Sequence, residues 1–226
     1  MNTVEYTTGR FADVFGEASG PTVLLWHGTQ TDARATVRPL AQLLADRGLG
    51  VVAPDWNSHA ADRGRSDLLS SVEFARSRSD RLVLVGWSLG GVAAAGLTIG
   101  APEYGVDLAH TVCLAGAFMV PDPISGEQLR PQLSGERTGA PFTLLHGLAD
   151  DVVPAQTSRS FAADLDQAGW PVRLVELEAD HGNIAGARYD AAADRYEPAH
   201  DPATRQVAGT VADHIAGVAM EPPATG

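Results

Sequence analysis

Short, mostly apolar segments alternate along this chain with segments whose apolar residues recur at helical spacing, and this alternation restricts the fold more than any other feature. The apolar segments read RFADVFG, TVLLWHG, GVVAP, RLVLVG, DLAHTVCLAG, APFTLLHG and WPVRLVEL. Strands that are apolar on both faces are typical of parallel sheets with helices on either side. The sequence therefore predicts an α/β fold with a mainly parallel central sheet, whose reactive groups gather beyond the carboxyl ends of the strands.

The intervening segments supply the helices that would cover such a sheet. For the first helix we predict Asp32 as the N-cap and Gly48 as the end. The other helical segments read SDLLSSVEFARS, LGGVAAAGLTI, the stretch from Pro154 to Gly169, and a last helix with Val207, Val211, Ile215 and Val218 on one stripe. A chain of 226 residues fits one domain, predicted here over residues 1–219, with a loose tail at 220–226.

Charge and composition exclude several kinds of function. The formal net charge is −12, which argues against a nucleic-acid partner, because phosphate binding needs clustered cations. All sixteen basic residues are arginine, so Schiff-base and Ser-Lys chemistry are excluded. Cys113 is the single cysteine, which rules out an internal disulfide, and its apolar surroundings predict a small buried hydrophobic residue.

No part of the sequence carries a membrane or export signal. No apolar run is long enough to cross a bilayer, and the first ten residues lack the basic and apolar regions of a signal peptide. We therefore expect a cytoplasmic protein without a membrane partner. The sequence does not indicate an oligomeric state.

The segment LVLVGWSLGG runs from an apolar strand into a serine that is surrounded by glycines. Its motif, G-x-S-x-G, spans Gly86 to Gly90 and lies between a predicted strand and a predicted helix, as a nucleophile elbow requires. In such an elbow the serine hydroxyl stands clear of the sheet on a strained turn, and the two flanking residues must be small. We predict that Ser88 is a nucleophile.

A serine nucleophile needs a base and a carboxylate that orients the base. The segment HGLADDVVP follows a strand and offers Asp150 and Asp151, of which we predict Asp150 as the orienting acid and Asp151 as a helix cap. The loop DHG follows the next strand and supplies His181 as the base. We expect structural roles for the histidines that directly precede glycine at strand ends, His27 and His146.

The transition state of acyl transfer needs two hydrogen-bond donors for the developing negative oxygen. The backbone N–H of Leu89, just after the serine, is one predicted donor. The second predicted donor is the N–H of Thr29, which follows the strand segment LLWHG.

Together these motifs resemble the α/β-hydrolase superfamily over nearly the whole chain. The resemblance rests on HGT after an early strand, GWSLGG at the elbow, HGLADDVVP at the acid loop and DHG at the histidine. The pattern H-G-x-x-D-x-x-V-P is similar to that of dienelactone-hydrolase-like and carboxylesterase-like members, in which the aspartate falls on Asp150. The resemblance implies the α/β-hydrolase fold and ester hydrolysis, since dehalogenases and epoxide hydrolases carry aspartate in place of Ser88.

Residues 117–140 lie where many relatives insert a helical cap, but they are too few for a multi-helix lid. We therefore expect no large cap domain and an open substrate cleft. Phe118, Met119 and Trp87 are the candidate substrate-binding residues. Residues 186–201 separate the histidine from the last helix, and we expect a surface loop there with no assigned role.

The sequence thus predicts a serine hydrolase that cleaves small carboxylic esters or lactones through an acyl-enzyme, with no metal and no cofactor. Its partner would be a small-molecule ester. Three alternatives stay open: thioesterase, acyltransferase or peptidase activity; a cofactor-free lyase or oxygenase that uses the same triad; and a non-catalytic binding protein on the same fold.

Overall fold

A computed structural model describes residues 1–16, 20–133 and 139–221. The strands of its main sheet are β1 (Asn2–Thr7), β2 (Arg10–Phe15), β3 (Thr22–Trp26), β4 (Gly50–Pro54), β5 (Leu82–Trp87), β6 (His110–Leu114), β7 (Phe142–Gly147) and β8 (Val172–Leu177). They lie in the order β1-β2-β4-β3-β5-β6-β7-β8. The strands from β4 across to β8 pair in parallel, while β1 and β2 form an antiparallel edge. The predicted mainly parallel sheet is confirmed.

Helices cover both faces of this sheet. They are α1 (Arg38–Ala45), α2 (Arg65–Arg76), α3 (Leu89–Ile99), α4 (Ala101–Tyr104), α5 (Leu129–Gln132), α6 (Gln156–Gln167) and α7 (Pro202–Met220). Helices α1 and α7 pack on one face, and α2, α3 and α6 contribute to the apolar clusters on the other. Between β8 and α7 the chain forms a separate hairpin of β9 (Ala187–Asp190) and β10 (Arg195–Pro198).

The burial of both faces explains why the strands are apolar without interruption. In β5, Val83 and Val85 belong to the cluster formed with α1 and α7, whereas Leu82 and Leu84 belong to the cluster formed with α2 and α3. Successive side chains of a strand point to opposite faces, so a strand covered on both sides needs apolar residues throughout. The central position of β5 therefore places its carboxyl end, and the turn after it, in the middle of the edge formed by the carboxyl ends of the parallel strands.

The structure corrects the predicted start of the first helix. Asp32 is not an N-cap: it has a φ of 52° and forms an ion pair with Arg10. A 3-10 turn over Arg34–Val37 precedes α1. The reason is tertiary, because the backbone N–H of Asp32 donates to the carbonyl of Trp56, and this contact holds the loop in a non-helical conformation.

Two further segments differ from the expectations. Residues Asn2–Thr7, for which we predicted no element, form β1 and pair with β2 along the edge of the sheet. Residues 186–201, expected as a surface loop, contain the β9–β10 hairpin. Both elements form by pairing with a neighbouring strand. The pattern of apolar residues within each segment does not indicate that pairing.

Between β6 and β7 the described residues contain one helix, α5, which has four residues, as expected for a chain without a large cap. Helix α7 ends at Met220, one residue into the segment predicted as a tail, and residues 222–226 lie outside the described part of the chain. In the described ranges, no helix combines the length and the apolarity that a membrane crossing requires.

Candidate active site

The turn from β5 into α3 holds Ser88 in a strained conformation. Its φ is 57° and its ψ is −118°, which a residue with a side chain rarely adopts. The flanking glycines allow the tight approach: a Cβ on Gly86 would lie 2.0 Å from the carbonyl oxygen of Gly90, and one on Gly90 would lie 2.4 Å from the carbonyl oxygen of His27. The spacing G-x-S-x-G is thus required by backbone contacts that any larger residue would break.

Ser88, His181 and Asp150 form one chain of hydrogen bonds. The Ser88 Oγ lies 3.1 Å from His181 Nε2, and His181 Nδ1 lies 2.8 Å from Asp150 Oδ2. A carboxylate can only accept, so Nδ1 carries the hydrogen and Nε2 is left to accept a proton from the serine. The three residues come from the ends of β5, β7 and β8, which are brought together by the parallel sheet.

Asp150 is held as a buried carboxylate. Its other oxygen accepts the backbone N–H groups of Val152 and Val153 at 2.9 and 2.8 Å. Burial alone would raise the pKa of Asp150, but the bonds from His146, His181 and Val153 outweigh it and hold the pKa well below its usual value. Asp150 is therefore an ionised carboxylate near neutral pH.

Asp151 and His146, the other acidic and imidazole side chains near this loop, do not contact Ser88. The prediction of Asp151 as a helix cap is wrong: it is exposed, and α6 begins at Gln156 with Ala155 at the N-cap position, whereas Asp150 contacts the imidazole. His146 is buried and bonded to the Ser158 hydroxyl at 2.7 Å and to the Val153 carbonyl at 2.9 Å, with its Nε2 3.4 Å from the carboxylate of Asp150. These contacts give His146 the structural position expected from its place before a glycine.

Two aromatic rings pack against His181. The Trp87 indole lies 5.4 Å from the imidazole, and its Nε1 donates to the His181 carbonyl at 2.8 Å. The Tyr196 ring lies 5.7 Å from the imidazole and edge-on to Trp87 at 5.2 Å. The histidine is only 3% exposed as a result, although it lies in a loop.

The loop after β3 lies against the serine. A Cβ on Gly28 would be 3.3 Å from the Cβ of Ser88, so the backbone N–H of Thr29 directly follows a residue in contact with Ser88. Leu89 is the first residue of α3, whose N-terminus favours negative charge. Neither the Thr29 nor the Leu89 N–H has a hydrogen-bond partner among the residues that the structure describes. Both donors are free to bind an anionic oxygen.

His27 organises this loop as a neutral residue. Its Nδ1 bonds to the Gly28 carbonyl at 2.9 Å, and its Nε2 lies 3.2 Å from the backbone N–H groups of both Ala33 and Trp56. Nε2 must therefore accept, and burial lowers the pKa of His27 to about 3. The expected structural role of His27 thus takes a specific form: it fixes the backbone between Gly28 and Ala33.

A model of the alpha/beta hydrolase family matches residues 23–224. The chain belongs to this family. Two curated relatives are both called uncharacterized protein YfhR: the one from Salmonella typhi is 30% identical over 203 residues, and the one from Salmonella typhimurium (strain LT2) is 29% identical over 201 residues. Each match covers 74% of this α/β hydrolase and 66% of the relative, so the chain spans slightly less than two thirds of their length.

Solved structures of an esterase share the fold. Thermogutta terrifontis esterase 2 phosphorylated by paraoxon has a TM-score of 0.72 and 19% sequence identity, and the match covers 98% of this chain and 96% of that one. The butyrate-bound form of this esterase has a TM-score of 0.69 and 18% identity, with 94% and 92% covered. At such identities the similarity establishes the α/β-hydrolase fold.

A cavity of about 240 Å³ opens beside α6 and contains two of the three predicted substrate-binding residues. The Phe118 ring stacks on Phe161 at 4.1 Å, and Met119 is 46% exposed at the same cavity. The third predicted residue, Trp87, does not line this cavity; it is 3% exposed and packs against His181 and Tyr196. The α/β hydrolase therefore does not bring its three apolar candidates into one cavity, and Ser88 is not among the residues that line the one beside α6.

Sequence reasoning missed two residues near the site, Gln30 and Tyr196. Tyr196 lies in the segment that was given no role, and Gln30 directly follows Thr29. The alternation of ARYD and RYEP around a polar turn is a weak hairpin signal that could have indicated an ordered element. Nothing in the sequence indicates that this hairpin packs against His181.

Proposed function

We propose that this α/β hydrolase is a serine hydrolase that cleaves small carboxylic esters or lactones through an acyl-enzyme. The observation that carries the proposal is the continuous hydrogen-bond chain from Asp150 through His181 to Ser88, which ends at a serine on a strained elbow. Ser88 would be the nucleophile, His181 the general base and Asp150 the residue that orients the base.

In the first half of the reaction, His181 Nε2 takes the hydroxyl proton as Ser88 Oγ attacks the ester carbonyl carbon. The tetrahedral oxyanion accepts hydrogen bonds from the backbone N–H groups of Thr29 and Leu89. When the tetrahedral intermediate collapses, the carbon–oxygen bond to the leaving group breaks, and His181 gives its proton to the departing alkoxide. The product is an alcohol and an acyl group on Ser88.

In the second half, water takes the place of the alcohol. His181 removes one proton from the water while its oxygen attacks the acyl carbon, and the same two N–H groups hold the oxyanion. The bond to Ser88 Oγ then breaks, and the serine takes back its proton from His181. Asp150 stays ionised throughout and stabilises the imidazolium that forms in each half. Neither half requires a metal or a cofactor.

Small acyl groups are favoured by the form of the site. The described part of residues 117–140 contains only the short helix α5, so nothing there matches the multi-helix lid that encloses long chains. The esterase of similar fold has been solved with butyrate and with propionate bound, which supports short acyl groups for this chain too. The finer assignment to dienelactone-hydrolase-like or carboxylesterase-like members, the single domain over 1–219 and a cytoplasmic location are part of the same proposal.

The test compares the wild-type protein with Ser88→Ala on p-nitrophenyl acetate, p-nitrophenyl butyrate and a panel of lactones. We expect hydrolysis by the wild type and a loss on the order of 10³-fold or more in the variant, with an unchanged thermal unfolding midpoint. A fluorophosphonate probe should label the wild type once per chain, in competition with ester. Near-wild-type turnover by folded Ser88→Ala would refute the proposal, and the absence of a covalent adduct that ester can outcompete would favour the cofactor-free lyase or oxygenase alternative.

A further inference from the structure

The β9–β10 hairpin packs on the loop that carries His181. Tyr196 of β10 faces Tyr189 of β9, and the two rings lie 5.4 Å apart. On its other side the Tyr196 ring reaches the imidazole, the Trp87 indole and the backbone of the His181 loop, since a Cβ on Gly182 would lie 2.9 Å from the ring's Cε1. The ring therefore fills the space into which the imidazole could otherwise turn.

One side chain fastens this hairpin to the loop after β3. The Gln30 amide donates from Nε2 to the Tyr196 carbonyl at 3.1 Å and accepts the Tyr196 backbone N–H at Oε1. Both backbone groups of one residue are thus bonded by one amide, as in a strand pairing. The Thr36 hydroxyl adds a longer bond of 3.4 Å to the same carbonyl. Because Gln30 follows Thr29, the loop with a proposed oxyanion donor and the hairpin next to the proposed base are joined directly.

We infer that Gln30 and Tyr196 are positioning residues: Gln30 holds the hairpin in place, and the Tyr196 ring keeps the His181 imidazole between Asp150 and Ser88. This inference rests on the proposed function. The imidazole turns about two side-chain bonds, and only one combination of them satisfies both hydrogen bonds. A ring packed beside it removes the alternatives that point to solvent. Small displacements of a catalytic group are costly, since about 1 Å of misplacement can reduce turnover about 100-fold.

The ring, rather than the hydroxyl, carries this role. Burial, followed by the charges of Asp150, Asp151 and Asp180, raises the pKa of Tyr196 to about 12, so the phenol stays neutral in any ordinary assay. No hydrogen bond from its hydroxyl to another described residue exists. A phenylalanine in its place would retain every contact on which the inference depends.

The test uses Gln30→Met and Tyr196→Ala, with kcat and KM measured on p-nitrophenyl butyrate and the labelled fraction counted with a fluorophosphonate. We expect kcat to fall about 10-fold to 100-fold in each, KM to stay within about twofold, and labelling to reach one per chain more slowly. Tyr196→Phe should restore kcat to within about twofold of the wild type. Gln42→Met is the matched control, because that amide also makes a bond, to Asp46 at 2.8 Å, but on an exposed face of α1.

Unchanged kcat in both variants would overturn the inference, and so would a rise in KM at constant kcat, which would mean that the hairpin binds substrate. An equal loss in Tyr196→Phe and Tyr196→Ala would assign the effect to the hydroxyl and overturn it too. If Tyr196→Ala does not fold, Gln30→Met tests the inference by itself, because methionine preserves the side-chain volume. A wild type that neither hydrolyses esters nor takes the probe would instead refute the proposed function.

Discussion

At the scale of single residues, the site depends on which protonation state each buried group can adopt. Two histidines lie beside the Asp150 carboxylate: His146 Nε2 is 3.4 Å from Oδ2, and His181 Nδ1 is 2.8 Å from the same oxygen. Only His181 also contacts Ser88. The His146 Nε2 already donates to the Val153 carbonyl, so its ring is oriented by the protein backbone. Only His181 is therefore positioned to serve as the proposed base, because its far nitrogen faces Ser88 whereas that of His146 faces the Ser158 hydroxyl.

The choice between the adjacent aspartates can be tested directly. In Asp150→Asn the new amide would face His181 Nδ1 with a donor, which favours the tautomer that has its hydrogen on Nε2 and cannot accept the serine proton. We expect ester turnover to fall on the order of 10³-fold or more in this variant. Asp151→Asn removes an exposed carboxylate and should change turnover by less than about twofold. Steady-state assays on p-nitrophenyl butyrate measure both, and a larger loss in Asp151→Asn would reject Asp150 as the orienting acid.

At the scale of elements, the elbow joins β5 to α3 only because three pieces of backbone come into contact. Gly86 lies against Gly90, and Gly90 lies against the carbonyls of Trp26 and His27 at the end of β3. The position of Ser88 is thus fixed by the packing of one helix against two strands. The loop after β3 is in turn fixed to the hairpin through Gln30. Strain at Ser88 is sustained by contacts of its neighbours.

A methyl group at Gly90 tests this packing. A Cβ there would lie 2.4 Å from the His27 carbonyl oxygen and 2.8 Å from that of Trp26, and neither backbone atom can move alone. We expect Gly90→Ala to lower the free energy of unfolding by about 1–3 kcal/mol. Gly209→Ala, inside α7 with nothing within 4 Å, is the control and should raise it by about 0.5–1 kcal/mol. Urea titration measures both, and equal stability of the two variants would contradict this account.

The segment between β6 and β7 leads to a prediction about which acyl-chain lengths are hydrolysed. Because its described part holds only the four-residue helix α5, we expect a cleft without a lid that closes over substrate. We expect rates on p-nitrophenyl esters to fall as acyl chains lengthen well beyond butyrate, with no jump at the substrate's micellar threshold. An optimum at long chains, or activation at a lipid interface, would contradict the open cleft.

At the scale of the whole molecule, buried neutral histidines link folding to pH. Burial lowers the pKa of His110 from 6.5 to about 4, and that of His27 from 6.5 to about 3. As the pH falls, the unfolded chain takes up these protons before the folded chain does. The stabilising effect is therefore complete above pH 6.5 and is lost as the pH falls toward these lower values.

His110 allows a test away from the site, since it is bonded to the Thr143 hydroxyl at 2.9 Å. We expect the unfolding free energy of the wild type to decline between pH 6.5 and 4, and His110→Gln to reduce that slope by up to about 1.4 kcal/mol per pH unit, the value for one proton. Urea titrations across this range give the slopes, with exposed His59→Gln as the control for loss of a histidine. An unchanged slope in His110→Gln would show that His110 is not the source.

The sequence by itself determined the features that follow from local rules. Strand β4 and helix α3 have the predicted bounds, because an apolar run or a small-residue helix buried on all sides is visible in composition alone. The elbow at Ser88 was predictable because the motif G-x-S-x-G is local: a Cβ on Gly86 would meet Gly90, although the contacts that require Gly90 come from Trp26 and His27 at the end of β3. The order of strand ends was enough to select Asp150 and His181, whose catalytic roles stay predictions.

Only the tertiary structure decided what depends on distant pairing. Asp32 looked like a helix cap, but a backbone bond to Trp56 and an ion pair with Arg10 hold it outside the helix. Gln30 and Tyr196 are 166 residues apart, and no pattern in the sequence around either residue indicates that the two are in contact. Such contacts depend on how the loop after β3 and the β9–β10 hairpin come together in space. The periodicity of apolar residues in a sequence indicates which face of a helix or strand is buried. It does not indicate which distant residues pack against that face.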